Sequence, residues 1–184
     1  MTKLSINEVI NQPIEPIVAF YFRQRPDSLG RTIEEIWAWD YQKLEYTHNY
    51  IQWLFPLKER SQFYSNAPIL NDEIIQAFRT NESLRINLKK SFEVMLKFYG
   101  LQCNEHNADI EISKSEEYQE RKLNWVELGN HNYLRITRIL TSLHLLGLEN
   151  QAQAFFKCLE QVYAEDSRNI GSTTYTYWRK AVEC

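Results

Sequence analysis

The sequence predicts a mainly α fold: one compact domain of about eight helices, spanning residues 1–184, with at most one small β-hairpin. Three observations carry this. Apolar residues recur at the helical period of 3.6 in five or more segments. Glycine and proline are scarce, at 5 each, which disfavours a turn-rich sheet protein. Helix punctuation falls where the periodic segments begin and end.

The elements follow in order. Ser5 is placed to cap a first helix that Pro13 stops. A second helix is expected over Ile17 to Gln24, closed ahead of Pro26, and RPDSLG (25–30) reads as a turn. Thr32 and Glu35 have capping-box spacing, with Ile33, Ile36, Trp37 and Tyr41 behind them at helical intervals. LEYTHNYIQWLF (44–55) reads as one helix wrapped in Leu44, Tyr46, Tyr50, Ile51, Trp53, Leu54 and Phe55, with a polar stripe of Glu45, His48, Asn49 and Gln52. Pro56 ends it. Asn71 caps a helix carrying Ile74, Ile75 and Phe78, and a longer one is expected from Ser83 to Tyr99, with Gly100 at its C-cap. Leu101 and Cys103 are expected to face Ile110 and Ile112 across a hairpin. Helices are then expected over Glu116–Trp125, from Gly129 to Gly147, over Glu149–Ala164 and from Ser172 to Val182, where Tyr175, Tyr177 and Trp178 read as core residues of a docking helix.

Composition narrows the function classes. Hydrophobic residues are 43%, charged residues 24% and the net charge is −3, as in an ordinary folded protein and against a dedicated nucleic-acid binder, which needs a basic face. Cys103, Cys158 and Cys184 are scattered, without CxxC spacing, and read as reduced thiols. No secretory signal or long apolar run is evident, so the expected location is cytoplasmic, without a transmembrane segment. There is no GxGxxG, P-loop or GxSxG. Glu45 and His48 form a single Glu-x-x-His, whereas a di-iron bundle needs two such motifs and two further glutamates, so no metal and no cofactor are expected.

Two constellations stand out. His131, Arg135, Arg138 and Ser142 line up on the helix after Gly129, within about 60° of one another. Beside them runs the apolar stripe Ile136, Ile139, Leu140, Leu143 and Leu146, with Leu134 and Leu145 beyond it. A guanidinium drawn out of water must be paired. One reading is a structural ion pair or a snorkelling arginine; the other is a floor that binds an anion or carboxylate. The stripe Glu45, His48, Asn49 and Gln52 supplies the candidate partners, Glu45 foremost. If a ligand binds, the site is expected to combine Arg135 or Arg138 with Glu45, His48, Gln52 and His131, walled by Tyr50, Trp53 and Tyr133. The residues leave three classes open: a non-catalytic module for a peptide or small acid, an enzyme using Glu45 and His48, or a protein–protein interaction domain without a small ligand.

Several strings resemble the conserved domain of the opioid growth factor receptor family. They are WDYQKLEYTHNYIQWLFPLKERS (39–61), EIIQAFR (73–79), VMLKFYGL (94–101), NWVELGNHNYLRITRILTSLHLLGLE (124–149) and YWRKAV (177–182), in order along the chain. The resemblance implies a non-catalytic binding module. It also implies a free-standing, microbial member without the repeat-bearing C-terminal tail of the animal receptors. Those receptors bind the enkephalin pentapeptide, restrain proliferation and sit at the nuclear and perinuclear membrane without a transmembrane helix. Peripheral membrane association is an expectation from the resemblance alone. The family offers no ligand residue set to carry across.

Overall fold

Local signals set most of the helix ends. In the computed structural model, which describes residues 14–106 and 109–183, α1 spans Pro16–Tyr21 and begins on a proline whose missing N–H is unneeded there. Thr32 and Glu35 form the capping box of α2, Ile33–Trp37. Asp40 then accepts from Lys43 N at 2.7 Å and starts α3, Tyr41–Tyr46. Tyr41 therefore belongs to a new helix, not to the run begun at Ile33. The expected helix over 44–55 is broken: residues 47–50 are non-helical and α4 is only Ile51–Leu54.

Asn71 caps α5, Asp72–Thr80, through Ile74 N at 2.8 Å. Asn81 both ends α5 and caps α6, Glu82–Tyr99. Gly100, at φ +75°, closes α6 in the left-handed conformation. The chain then enters an antiparallel hairpin, β1 (Leu101–His106) and β2 (Asp109–Lys114). Its register sets Cys103 opposite Ile112 and Leu101 opposite Lys114, so the apolar pairing is shifted from the expected one. Helix α7 is shorter than expected, Tyr118–Lys122. Helix α8 is Asn132–Leu145 and α10 is Ser172–Glu183. Between them α9 runs Glu149–Ile170, past the expected end at Ala164, with a kink at Asp166 (φ −127°, ψ 33°). Asp166 accepts from Lys122 at 2.6 Å. Two expectations change: ten helices are present among the described residues where about eight were expected, and the helix assigned to Ser5–Pro13 lies outside them.

Helices α8, α9 and α10 pack on one another, and α9 also lies on β2. Helix α6 carries the other half of the core, against α1, α2, α5, α7 and β1. Ile136, Ile139, Leu140 and Leu143 of α8 are fully buried, as their period requires. Trp178 anchors α10 by donating from Nε1 to Tyr133 O at 3.2 Å, whereas Tyr177 is exposed. No helix among the described residues is long and apolar enough to cross a membrane.

Candidate functional site: a groove between α4 and α8

Burying the apolar stripe of α8 turns its other edge towards residues 44–57, and Arg135 and Arg138 meet different surroundings there. Arg135 is 5% exposed. Its Nη1 donates to Leu44 O at 3.0 Å and Asn132 Oδ1 at 3.2 Å. Its Nη2 donates to Glu45 O at 3.1 Å and Thr47 O at 3.0 Å. These are carbonyls at the C-terminal end of α3, where a helix leaves acceptors unsatisfied and gathers partial negative charge. The helix ends at Thr47, whose carbonyl Arg135 holds. Glu45 Oε2 is 3.9 Å from Arg135 Nη1, an ion pair looser than the carbonyl bonds. The guanidinium also lies over the Tyr50 ring, 5.7 Å from its centroid.

Glu45 is occupied on both oxygens: Oε1 lies 3.3 Å from His131 Nε2 and Oε2 accepts from Asn132 Nδ2 at 3.2 Å. His48 Nδ1 is 3.2 Å from Arg135 Nη2. A guanidinium only donates, and the two Nη2 hydrogens are shared among Glu45 O, Thr47 O and this nitrogen. The two histidine rings meet edge to face at 5.4 Å. Burial, with the Arg135 charge beside it, lowers the His131 pKa against the opposing pull of Glu45. Glu45 and His48 thus meet at Arg135, while the Glu45 carboxylate also holds His131 and Asn132.

Arg138 is half-buried and donates from Nη1 to Phe55 O at 3.1 Å. Among the described residues no carboxylate lies within ion-pair distance of it. Burial lowers its pKa, and Glu59 opposes this through space. The side chain borders a mostly apolar groove of about 520 Å³, walled by Ile51, Leu57, Phe63 and Leu134. Gln52, His48, His131 and Arg135 border it too. Phe63 is 83% exposed and Leu134 62%. Gln52 is 4% exposed, and its Oε1 has no hydrogen-bond partner.

Among the residues singled out in the sequence, Arg135, Arg138, His48, Gln52 and His131 come together here, with Glu45 behind Arg135 and His131. The three expected aromatic walls do not line the groove. Tyr50 is fully buried beneath Arg135, its hydroxyl donating to Leu44 O at 3.1 Å, and burial raises its pKa. Trp53 lines a separate cleft of about 420 Å³ with Pro16, Pro26 and Pro68, because neighbouring residues on a helix point about 100° apart. Tyr133 packs on Trp178 at 5.7 Å. The aromatic wall is Phe63, which sequence reasoning missed. Its signal was a lone large apolar residue in a polar, aperiodic stretch. Asn132 was also missed; it is fully buried and bridges Glu45 and Arg135. No group of three or more His, Cys, Asp or Glu side chains poised for a metal occurs among the described residues.

Fold and groove together define a mainly α domain with a cation set into an apolar cleft. The chain belongs to the opioid growth factor receptor family: residues 18–184 match the Opioid growth factor receptor (OGFr) conserved region. It is 36% identical over 159 residues to the opioid growth factor receptor-like protein 1 of Xenopus tropicalis, covering 84% of this chain and 30% of that protein. It is 36% identical to the mouse opioid growth factor receptor over 160 residues, covering 84% of this chain and 25% of that protein. The human receptor is 35% identical over 162 residues, covering 84% of this chain and 23% of that protein. The chain therefore spans less than a third of the length of these curated relatives. No solved structure matches it.

Proposed function

We propose that this domain is a non-catalytic binding module whose groove between α4 and α8 takes a peptide or a small carboxylate-bearing ligand. One observation carries the reading. Arg135 is saturated by the chain's own carbonyls, whereas Arg138 is half-buried in an apolar wall with one carbonyl partner and no carboxylate. A guanidinium removed from water gains most from a bidentate carboxylate. The flanking apolar surface then favours an apolar ligand side chain, at roughly 25 cal/mol per Å² buried. The relatives carry the name of a receptor for opioid growth factor, which supports a peptide as the ligand class. Calorimetry with a peptide panel that includes enkephalin tests this. A dissociation constant well below about 1 mM is expected for at least one peptide, weakened about tenfold or more by Arg138→Ala. Absence of binding to the folded wild type, or binding unchanged by Arg138→Ala, would overturn the proposal.

A further inference from the structure

Two imidazoles border the groove, and they face opposite kinds of neighbour. His48 and His131 both line it, with their rings edge to face at 5.4 Å. His48 Nδ1 looks at Arg135 Nη2, 3.2 Å away, a group that only donates. His131 Nε2 looks at Glu45 Oε1, 3.3 Å away, and the His131 side chain is 41% exposed. The charged and titratable groups facing His131 are thus Glu45 from α3, His48 from the break at 47–50 and Arg135 of its own helix. A proton added to this pair is received on His131, where a carboxylate faces it and solvent reaches it. Glu45 does not cancel the added charge, because its carboxylate already stands against Arg135 at 3.9 Å. With His131 neutral, Arg135 and Glu45 balance and Arg138 is the net charge of the groove. A protonated His131 adds a second. The two lie seven residues apart on α8, about 10 Å of helix rise, so an anion in the groove feels both within about one Debye length.

We infer, resting on the groove reading above, that the groove takes its anion together with a proton from solvent, held on His131 against Glu45, so that acidification tightens binding. Arg138 supplies the constant charge and His131 the variable one. The linkage is reciprocal: a bound carboxylate offsets the repulsion from Arg135 and raises the His131 pKa by as much as the proton strengthens the ligand. In the free protein, burial and Arg135 hold that pKa below the ordinary 6.5. His131 is therefore neutral at pH 7.5 and gains its proton as pH falls. Affinity is level well above about pH 6.5 and rises below it.

Calorimetry on the full chain at pH 7.5 and 5.5, in buffers that are not carboxylates, tests this. The probe is acetyl-leucine, whose carboxylate stays ionised at both values, with its uncharged carboxamide as the control. The acid is expected to bind about threefold or more tightly at pH 5.5. Proton uptake should appear as a heat that varies with the ionisation enthalpy of the buffer. The carboxamide should show neither effect, and His131→Gln should lose both for the acid. If acetyl-leucine does not bind, the tightest member of the peptide panel replaces it, and the comparison with His131→Gln separates the histidine from the peptide's own amine. If His131→Gln fails to fold, by circular dichroism, proton magnetic resonance of the wild type decides: saturating ligand should raise the His131 pKa. Equal affinity at the two pH values, a pH dependence unchanged in His131→Gln, or an unmoved His131 pKa overturns the proton linkage and leaves the groove reading standing. If neither acetyl-leucine nor any member of the panel binds at either pH, the groove reading itself fails, and this inference with it.

Discussion

One helical turn separates Arg135 from Arg138, and the difference between them is what each guanidinium touches. Arg135 holds the carbonyls of Leu44, Glu45 and Thr47. Removing it strands those acceptors, at about 1–3 kcal/mol for each one left buried. Arg135→Ala should therefore cost about 3 kcal/mol or more. Arg138→Ala gives up one carbonyl bond at a half-buried position and should cost less than about 1.5 kcal/mol. Urea midpoints of the two variants check this, and equal losses would make Arg138 as structural as Arg135. His131 carries a pH dependence. Its folded pKa is lowered from the ordinary 6.5 by burial and by Arg135. The unfolded chain thus binds the proton first as pH falls, so His131 leaves stability untouched above about pH 6.5 and erodes it below. Unfolding at pH 7.5 and 5.5 should show a smaller acid loss in His131→Gln than in the wild type. An unchanged difference would show that His131 does not titrate in this way.

At the scale of elements, the informative departure is the break at residues 47–50. A helical wheel continues at about 100° per residue without regard to where a helix ends, and Thr47, His48 and Asn49 are weak helix formers in a row. Both sides of the break are held from a distance: Arg135 takes the carbonyls of Leu44, Glu45 and Thr47, and Arg31 takes Asn49. With the helix broken, the expected polar stripe separates: Asn49 accepts from Arg31 Nη1 at 2.8 Å, while Gln52 turns to the groove. Where a local residue decides the geometry, the reading transfers well, as at the Thr32 capping box, the Asn71 cap and the Gly100 turn. Gly100 also has a tertiary constraint that the sequence hides. A Cβ there would lie 2.7 Å from Tyr118 Cα and 2.8 Å from Arg121 Cβ, whereas at Gly129, φ +72°, nothing lies within 4 Å. Both positions carry the left-handed strain of roughly 1–2 kcal/mol for alanine; only Gly100 adds a collision with backbone. Gly100→Ala should destabilise by more than about 3 kcal/mol and Gly129→Ala by about 1–2 kcal/mol. Thermal or urea unfolding of the two variants compares them, and similar losses would show that α7 yields to the extra methyl group.

At the scale of the molecule, α8 joins the core to the groove. One face carries Ile136, Ile139, Leu140 and Leu143 into the packing with α9 and α10. The adjoining edge carries the two arginines to residues 44–57. Burial of the first face is strongly favourable and fixes the rotation of the helix, so Arg138 is held at the groove as a consequence of core packing. The same logic places Trp53 and Gln52, neighbours on α4, in two different clefts.

The sequence by itself determined the mainly α character, most helix ends, the hairpin and the two arginines as the polar edge of a core helix, because these depend on periodicity and on caps within a few residues. Only the tertiary structure decided which partner each arginine finds. Arg135 reaches the Leu44 carbonyl across 91 residues of sequence and Arg138 reaches the Phe55 carbonyl across 83. A backbone carbonyl carries no sequence signature, since every residue has one. The sequence therefore pointed to Glu45, the visible carboxylate, whereas the fold gave Arg135 a helix end and left Arg138 bordering an apolar groove.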